Sequence, residues 1–236
     1  MFYVIVRGIL GWWARWYLRL EVIGREHVPP GGGLLVASNH VSYLDIPMLA
    51  CALGRPADFM GKLELFRHPV MGPIYRLLGG FPVRRGGVTK EALHEAIRRL
   101  RDGRVVVIYP EGQISLSGEL LPPKPGIGVL VARSGVPVLP AYVAGTDQAM
   151  PRGRRWVWPR PVKVLIGRPL VFEPFDEPDG GAADAGMREQ QRMRYVEISQ
   201  RVMQAITALR AHLLQETAAG LKTARGANHS GIDKGG

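Results

Sequence analysis

Short apolar runs alternate with amphipathic helical patterns along most of the chain, and this alternation restricts its fold more than any other feature. The run "VVVI" at 105–108 is uninterrupted and ends in a loop, which is typical of a parallel strand buried on both faces. Before it, Leu93, Ala96, Ile97 and Leu100 recur at helical spacing. Strands that alternate with helices predict an α/β fold, with a largely parallel or mixed sheet covered by helices.

The same patterns divide the chain into three parts. Residues 1–20 form an apolar helical segment, and residues 21–216 hold the alternating strands and helices, a length that suits one large α/β domain. Apolar residues make up 46% of the chain, enough for a full core. Residues 217–236 are polar and glycine-rich and are expected to be disordered. Further strands are predicted at 34–39, 57–62, 136–143 and 162–170, and further helices at 43–53, 65–78, 127–134 and 187–216.

The first 20 residues combine aromatic and basic side chains in a pattern that favours a membrane surface. Trp12, Trp13, Trp16 and Tyr17 lie close together, whereas the arginines fall within one sector of about 120° on a helical wheel. No uninterrupted apolar stretch reaches the ~20 residues that a spanning helix needs. The pattern predicts an amphipathic helix lying in the membrane interface. A buried helix that caps the domain is the alternative.

Net charge narrows the classes of partner. The chain has 31 Lys and Arg against 20 Asp and Glu, a net charge of +11, which attracts it to anionic surfaces such as lipid headgroups or nucleic acid. The basic stretch 151–161 contains two tryptophans, which suits a headgroup interface or single-stranded nucleic acid. One short basic run is weak support for nucleic acid, so no such partner is expected. Cys51 is the sole cysteine, and its apolar surroundings predict a core position.

A histidine and an aspartate stand at the end of the predicted strand 34–39. On one continuous helix, His40 and Asp45 would face different sides, so they can meet only if His40 precedes the helix at 43–53. Asp45 in the first turn can then fix the tautomer of His40, which becomes a general base for a substrate hydroxyl. The alternative is structural: Ser42 and Asp45 cap the helix, and His40 is an ordinary loop residue.

Three further clusters place polar groups near predicted strand ends. Arg84 and Arg85 lie in a glycine-flanked turn, where guanidinium groups can hold a phosphate or simply be exposed. Glu111 and Gly112 follow the buried valine run. There the carboxylate could accept hydrogen bonds from a polyol, with the backbone at the glycine approaching closely. The alternative is an ordinary turn between a strand and a loop. Lys124 stands between prolines, which is a stiff way to place one cation. Each cluster alone is weak evidence of a site.

Together these clusters resemble the four ordered motifs of the glycerolipid acyltransferases, and most closely the 1-acylglycerol-3-phosphate acyltransferase (PlsC-like) group. The resemblance covers about residues 34–142, and the order and spacing of the blocks make it specific. The blocks are Asn39-His40-x4-Asp45, Gly79 to Arg85, Pro110-Glu111-Gly112 and Val136 to Pro140.

The resemblance implies a role for each matching residue. His40 would be the general base and Asp45 its partner, while Arg85 would hold the phosphate of the acceptor. The substrate-binding residues that it implies are Asn39, Arg84, Arg85, Glu111, Gly112 and Lys124. Two positions depart from the pattern of the family: Gln113-Ile114 replaces the usual Thr-Arg, and Arg84 stands where an acidic residue is frequent.

The implied reaction moves a fatty acyl group from acyl-CoA or acyl carrier protein to the free hydroxyl of 1-acylglycerol-3-phosphate or a related lysophospholipid, giving phosphatidic acid. A thioester is already activated, so neither a metal ion nor a cofactor is expected. The implied partners are the acceptor, the thioester and a membrane surface. The protein itself is expected to be monotopic, on the cytoplasmic face of the cell membrane. The alternative is a membrane-docked lipid-binding protein without catalysis, which would not need the His40–Asp45 pair.

Overall fold

A computed structural model gives the fold of most of the chain. The described residues form a seven-stranded sheet in the order β1-β7-β6-β2-β5-β3-β4, with helices on both faces. Neighbouring strands are parallel throughout except for the antiparallel pair β6–β7, so the mixed α/β sheet is confirmed. The strands are β1 (Glu21–Ile23), β2 (Leu34–Ser38), β3 (Ala57–Lys62), β4 (Gly80–Val83), β5 (Val105–Ile108), β6 (Val138–Ala144) and β7 (Lys163–Ile166). The structure describes residues 2–67, 69, 72–73, 76, 79–83, 90–154, 156–173 and 185–229.

The helices follow the strands in the alternation that the sequence predicts. Within the described ranges they are α1 (Phe2–Tyr17), α2 (Asp45–Leu53), α3 (Leu63–Arg67), α4 (Lys90–Arg101), α5 (Gly126–Ser134), α6 (Thr146–Ala149) and α7 (Ala185–His229), with a 3-10 turn at Arg25–His27.

Two apolar cores lie on opposite faces of the sheet. Because successive strand residues point to opposite faces, Leu34 and Val36 of β2 join the core beneath α1 and α2. Leu35 and Ala37 of the same strand join the core beneath α4, α5 and α7. All four side chains are fully buried. Burial on both faces explains why the central strands read as continuous apolar runs in the sequence.

Helix α1 packs on α2 and also presents an apolar stripe to solvent. Ala14 and Leu18 are fully buried in the core, and Gly11 lies against the half-buried Cys51 of α2. The opposite side is exposed, with Trp12 at 68% and Trp16 at 72%. The helix therefore caps the domain while keeping a free apolar face. No helix in the described part of the chain combines the length and apolar character that a membrane span requires.

Three elements differ from the sequence-based expectations. The short edge strand β1 and the single-turn α6 were not predicted, since neither is long enough to show a period. Helix α7 continues to His229, which corrects the predicted end at Glu216 and the disordered tail over 217–229. Ala218 and Ala219 are good helix formers and favour continuation of the helix beyond Glu216.

The topology brings the candidate site residues together at one edge of the sheet. β6, β2 and β5 are adjacent and parallel, so their carboxyl ends meet. His40 follows β2, Tyr109 and Glu111 follow β5, and Thr146 follows β6. Such an edge is where open α/β sheets bind ligands.

Candidate active site

His40 and Asp45 form a hydrogen-bonded pair at the carboxyl end of β2. His40 Nδ1 lies 2.8 Å from Asp45 Oδ2, with Asp45 fully buried and the imidazole 12% exposed. A carboxylate only accepts hydrogen bonds, so the proton sits on Nδ1. The neutral ring therefore has Nε2 as its unprotonated nitrogen, available as a base.

Asp45 also accepts hydrogen bonds from the turn that leads into α2. Its Oδ2 lies 2.8 Å from the N–H of Val41 and 2.9 Å from the N–H of Ser42. These bonds hold the turn before α2, and no side-chain capping hydrogen bond is formed at Leu44, the N-cap residue of α2. One carboxylate therefore contacts both the turn and the imidazole, and the role of His40 as a general base stays a prediction.

A threonine that the sequence analysis did not single out completes the environment of Asp45. Thr146 donates its hydroxyl hydrogen to Asp45 Oδ1 and is fully buried. Gly145 directs the chain at this point: its φ is 85°, and a Cβ there would lie 2.1 Å from the carbonyl oxygen of Pro161. Only glycine fits this approach, so Gly145 fixes where Thr146 begins α6.

Tyr109 covers one face of the imidazole. The rings of His40 and Tyr109 stack with centroids 3.8 Å apart and planes at 13°. Burial, with a smaller contribution from the negative charge of Asp45, raises the pKa of Tyr109 well above its ordinary value. The phenol therefore remains neutral and contributes a flat, poorly hydrated wall that orients His40.

Glu111 bridges two backbone segments of the site. Its Oε1 accepts from the N–H of His40 at 3.2 Å, and its Oε2 accepts from the N–H of Leu121 at 3.1 Å. Burial raises the pKa of Glu111, and these two hydrogen bonds oppose that shift. Glu111 therefore holds the loop after β5 against His40. Its predicted contact with the acceptor stays a prediction.

Gly112 and Lys124 are in direct contact. Gly112 has a φ of 68°, and a Cβ at that position would lie 2.8 Å from Lys124 Cδ and 3.0 Å from Nζ. The N–H of Lys124 donates to the carbonyl oxygen of Pro110 at 2.9 Å. These contacts place Lys124 beside the turn that carries Glu111. The structure therefore brings these two predicted substrate-binding residues close together.

Asn39 joins two strands of the sheet through its side-chain amide, and its predicted contact with the substrate stays a prediction. Its Nδ2 donates to the carbonyl oxygen of Val143 at 2.9 Å, and its Oδ1 accepts from the N–H of Val143 at 2.8 Å. The side chain is almost completely buried. Its amide extends the hydrogen bonding between β2 and β6 by one step, because an amide reproduces the donor and acceptor of a backbone unit.

The predicted phosphate contacts Arg84 and Arg85 lie outside the described residues. β4 ends at Val83, immediately before them. Among the described residues, no group of three or more His, Cys, Asp or Glu is placed to hold a metal ion. The expectation that no metal takes part stays a prediction.

A cleft of about 270 Å³ lies beside the pair. One side is formed by Val41, Ser42 and Tyr43, directly after His40, and the other includes Arg152 and Arg154. Ser42 Oγ donates to the carbonyl oxygen of Met150 at 3.0 Å, which fixes the two sides relative to each other. Arg152 and Arg154 suit the cleft to an anionic group, close to the turn that follows His40.

The arrangement suits removal of a proton from a substrate hydroxyl. The buried carboxylate orients the imidazole and can stabilise the positive charge that develops when Nε2 accepts a proton.

Comparison with known proteins agrees with this arrangement. The model of the family described as "Acyltransferase" matches residues 19–144, more than half of the chain. A chloroplastic 1-acyl-sn-glycerol-3-phosphate acyltransferase from Brassica napus is 32% identical over 164 residues, which cover 68% of this chain and 47% of that protein. An N-acylphosphatidylethanolamine synthase from Arabidopsis thaliana is 34% identical over 171 residues, or 61% of this chain and 58% of that protein. The chain thus spans about half the length of these plant relatives.

The fold has a counterpart among solved structures. The crystal structure of the 1-acyl-sn-glycerophosphate acyltransferase PlsC from Thermotoga maritima matches with a TM-score of 0.59 and 29% identity, and the match covers 83% of this chain and 76% of that one. The family match spans every strand from β1 to β6 and includes the His40–Asp45 pair, Tyr109 and Glu111. This chain belongs to the acyltransferase family that contains the 1-acyl-sn-glycerol-3-phosphate acyltransferases.

Proposed function

We propose that this protein transfers a fatty acyl group from acyl-CoA or acyl carrier protein to the free hydroxyl of 1-acylglycerol-3-phosphate or a related lysophospholipid, forming phosphatidic acid. The observation that carries the proposal is the 2.8 Å contact between His40 Nδ1 and the buried carboxylate of Asp45. The bonds from Val41 and Ser42 to Asp45 could serve a non-catalytic lipid-binding protein, but such a protein has no need of the contact to His40.

The proposed reaction is a direct transfer. Nε2 of His40 removes the proton of the acceptor hydroxyl as its oxygen attacks the thioester carbonyl carbon. The tetrahedral intermediate collapses, the carbon–sulfur bond breaks, and the thiolate leaves. The imidazolium then returns the proton to the thiolate, giving a free thiol and regenerating the base. Because the thioester is already activated, the step requires no metal ion and no cofactor.

Several cations could bind the phosphate of the acceptor. Arg85 is proposed as the main contact, with Arg84 beside it, since both follow β4 directly in the sequence. Lys124, which lies against Gly112, is proposed to assist. Arg152 and Arg154 on the cleft wall could bind the same phosphate or the phosphates of CoA. Charge-assisted contacts of this kind position a substrate as well as bind it.

We propose a monotopic location on the cytoplasmic face of the cell membrane, with α1 in the interface. The support is the exposed stripe of Ile5, Ile9, Trp12 and Trp16, which recur at helical spacing on the side of α1 that faces away from the domain. With 16 residues, α1 is ~24 Å long, shorter than the ~30 Å hydrocarbon layer.

The N-acylphosphatidylethanolamine synthase among the relatives raises a second candidate acceptor, an amine instead of a hydroxyl. The proposal is tested by incubating purified protein with labelled acyl-CoA and vesicles that contain 1-acylglycerol-3-phosphate, lysophosphatidylethanolamine or phosphatidylethanolamine. Labelled phosphatidic acid is the expected main product. Labelled N-acylphosphatidylethanolamine as the main product would replace the hydroxyl acceptor with the amine. No labelled lipid from any acceptor, with either acyl-CoA or acyl carrier protein as donor, would favour lipid binding without catalysis.

Removing the hydroxyl of Thr146 is expected to lower kcat. A hydrogen bond to a charged group contributes ~1.5–3 kcal/mol, so Thr146→Val should reduce the rate roughly tenfold or more, with KM for both substrates nearly unchanged. Thr146→Ser keeps the hydroxyl and should restore most of the rate. Steady-state kinetics of both variants provide the test. Equal losses in the two variants would mean that Thr146 acts through packing and not through Asp45.

Replacing the exposed stripe of α1 is expected to weaken membrane binding. Deletion of α1 would uncover the core beneath Ala14 and Leu18, so substitution is the sharper test. The variant Ile5→Gln/Ile9→Gln/Trp12→Gln/Trp16→Gln should float with vesicles much less than the wild type, because interfacial binding scales with buried apolar area. Leu214→Gln on α7 is the control, since that side chain is 58% exposed on the other face of the sheet. Equal flotation of all three proteins would exclude α1 as the anchor.

A further inference from the structure

The loop at 151–160, which we call the tryptophan loop, holds two tryptophans in solvent. Trp156 is 81% exposed and Trp158 is 57% exposed. Val157 between them packs against the core instead. The loop therefore turns both indoles outward by burying the smaller residue that separates them. Tryptophans presented in this way are typical of interaction surfaces and of the headgroup layer of membranes.

Hydrogen bonds fasten the tryptophan loop to the end of α1. The hydroxyl of Tyr17 donates to the carbonyl oxygen of Val157 at 3.0 Å. The N–H of Val162 donates to the carbonyl oxygen of Leu18 at 3.0 Å. Trp16 of the exposed stripe lies beside Tyr17, with ring centroids 6.4 Å apart. The loop that carries Trp156 and Trp158 is therefore attached to the end of α1, next to Trp16.

The charge of the tryptophan loop complements an anionic bilayer. Arg152, Arg154 and Arg160 are all exposed. The sequence from 151 to 163 contains no Asp or Glu, so nothing within the segment neutralises these cations. Basic side chains at a membrane surface add to the affinity for anionic lipids, and neighbouring tryptophans add an apolar contribution that salt does not screen.

The tryptophan loop is also a wall of the cleft beside His40. Arg152 and Arg154 line the cleft opposite Tyr43, which is itself 55% exposed. Docking this loop on a bilayer would bring the mouth of the cleft to the headgroup layer. The free hydroxyl of a lysophospholipid lies in that layer, so it would reach the base without leaving the membrane.

We propose that the tryptophan loop is a second membrane-contact element, specific for anionic lipid surfaces, which acts with α1 to set the cleft against the headgroups. The role of the loop in orienting the cleft rests on the proposed acyl transfer. The membrane contact itself is independent of catalysis and is measured without it. Single-stranded nucleic acid, the other polyanion that stacks on tryptophan, is a competing partner that the test must separate.

Quenching by brominated lipids locates each group of tryptophans. The variant Trp12→Phe/Trp13→Phe/Trp16→Phe leaves Trp156 and Trp158 as the only indoles, and Trp156→Phe/Trp158→Phe leaves those of α1. Each is mixed with vesicles of phosphatidylcholine brominated in its acyl chains and phosphatidylglycerol. Quenching of the loop indoles is the expected result. If only the α1 indoles are quenched, the loop proposal is overturned while the proposed anchor stands. If only the loop indoles are quenched, the anchor fails and the loop proposal stands.

Flotation measures what the loop contributes to binding. Trp156→Ser/Trp158→Ser should weaken binding to phosphatidylglycerol vesicles by about tenfold, because each indole that enters the interface removes a large apolar area from water. The control Leu214→Ser on α7 should bind as the wild type does. A single-stranded oligonucleotide is tested with the same proteins. Unchanged vesicle binding by the tryptophan variant would overturn the proposal, and loss of oligonucleotide binding alone would assign the loop to nucleic acid.

Discussion

Replacing His40 with alanine is expected to lower the rate of acyl transfer by about 10²–10⁴-fold, the usual contribution of a general base. The protein should remain folded. Asp45 would keep the hydrogen bonds from Val41, Ser42 and Thr146, so no buried charge would be left without partners. Steady-state kinetics on vesicles, with circular dichroism as a check on the fold, measure the effect.

His94→Ala is the matched control, because His94 is exposed on α4, away from the carboxyl ends of β2 and β5. It should have wild-type activity. A folded His40→Ala protein with most of its activity would show that the base lies elsewhere.

Replacing Asp45 with asparagine is expected to reduce the rate by about 10²-fold through loss of charge. Two backbone N–H groups converge on Oδ2, so the amide oxygen of the new side chain should take that position and still accept from His40 Nδ1. The tautomer would be kept, but the imidazolium formed in the transition state would have no counter-charge, and a charge-assisted hydrogen bond is worth ~1.5–3 kcal/mol. The loss should appear in kcat.

Asp45→Ala makes a useful comparison with the asparagine variant. It leaves four hydrogen-bond donors without their acceptor, of which the N–H of Ser42 and the Thr146 hydroxyl are buried. Each orphaned buried group costs ~1–3 kcal/mol, so thermal unfolding should occur at a clearly lower temperature. If the asparagine variant is as destabilised as the alanine variant, the amide does not occupy the site as inferred. Wild-type kcat in the asparagine variant would contradict a role for the charge.

Much of the fold could be predicted because burial on both faces leaves a strong pattern. The apolar runs that became β2, β5 and β6 are short, uninterrupted and followed by loops, and these are the strands that carry the site. The same reasoning placed His40 before a helix with Asp45 in its first turn, which is what allows them to meet.

The residues that were missed depend on pairing between distant strands. Thr146 lies 101 residues beyond Asp45, and it reaches the carboxylate only because β6 runs beside β2. Asn39 bonds to Val143 for the same reason. A single sequence does not reveal which strands are neighbours, so neither hydrogen bond could be predicted from it. Tyr109 directly precedes the block Pro110-Glu111-Gly112, but its stacking on His40 depends on the β2–β5 pairing.

The N-terminal helix has both a buried face and an exposed apolar face, and the sequence pattern alone does not separate them. Its helical wheel carries a face that packs on α2 and a second apolar face that remains in solvent. A sequence pattern that is apolar around most of the helix does not distinguish a buried side from an exposed one. The packed face fixes α1 to the domain, and this attachment gives the exposed face a defined position relative to His40.

A single-turnover experiment tests the role of His40 most directly. Enzyme in excess over labelled acyl-CoA is mixed with vesicles that contain 1-acylglycerol-3-phosphate, and labelled phosphatidic acid and labelled protein are both measured over time. The wild type should form phosphatidic acid with no labelled protein at any time, and His40→Ala should form it at least about 10²-fold more slowly. Equal rates in the two proteins, or an acylated protein that passes its label to the acceptor, would contradict direct transfer with His40 as the base.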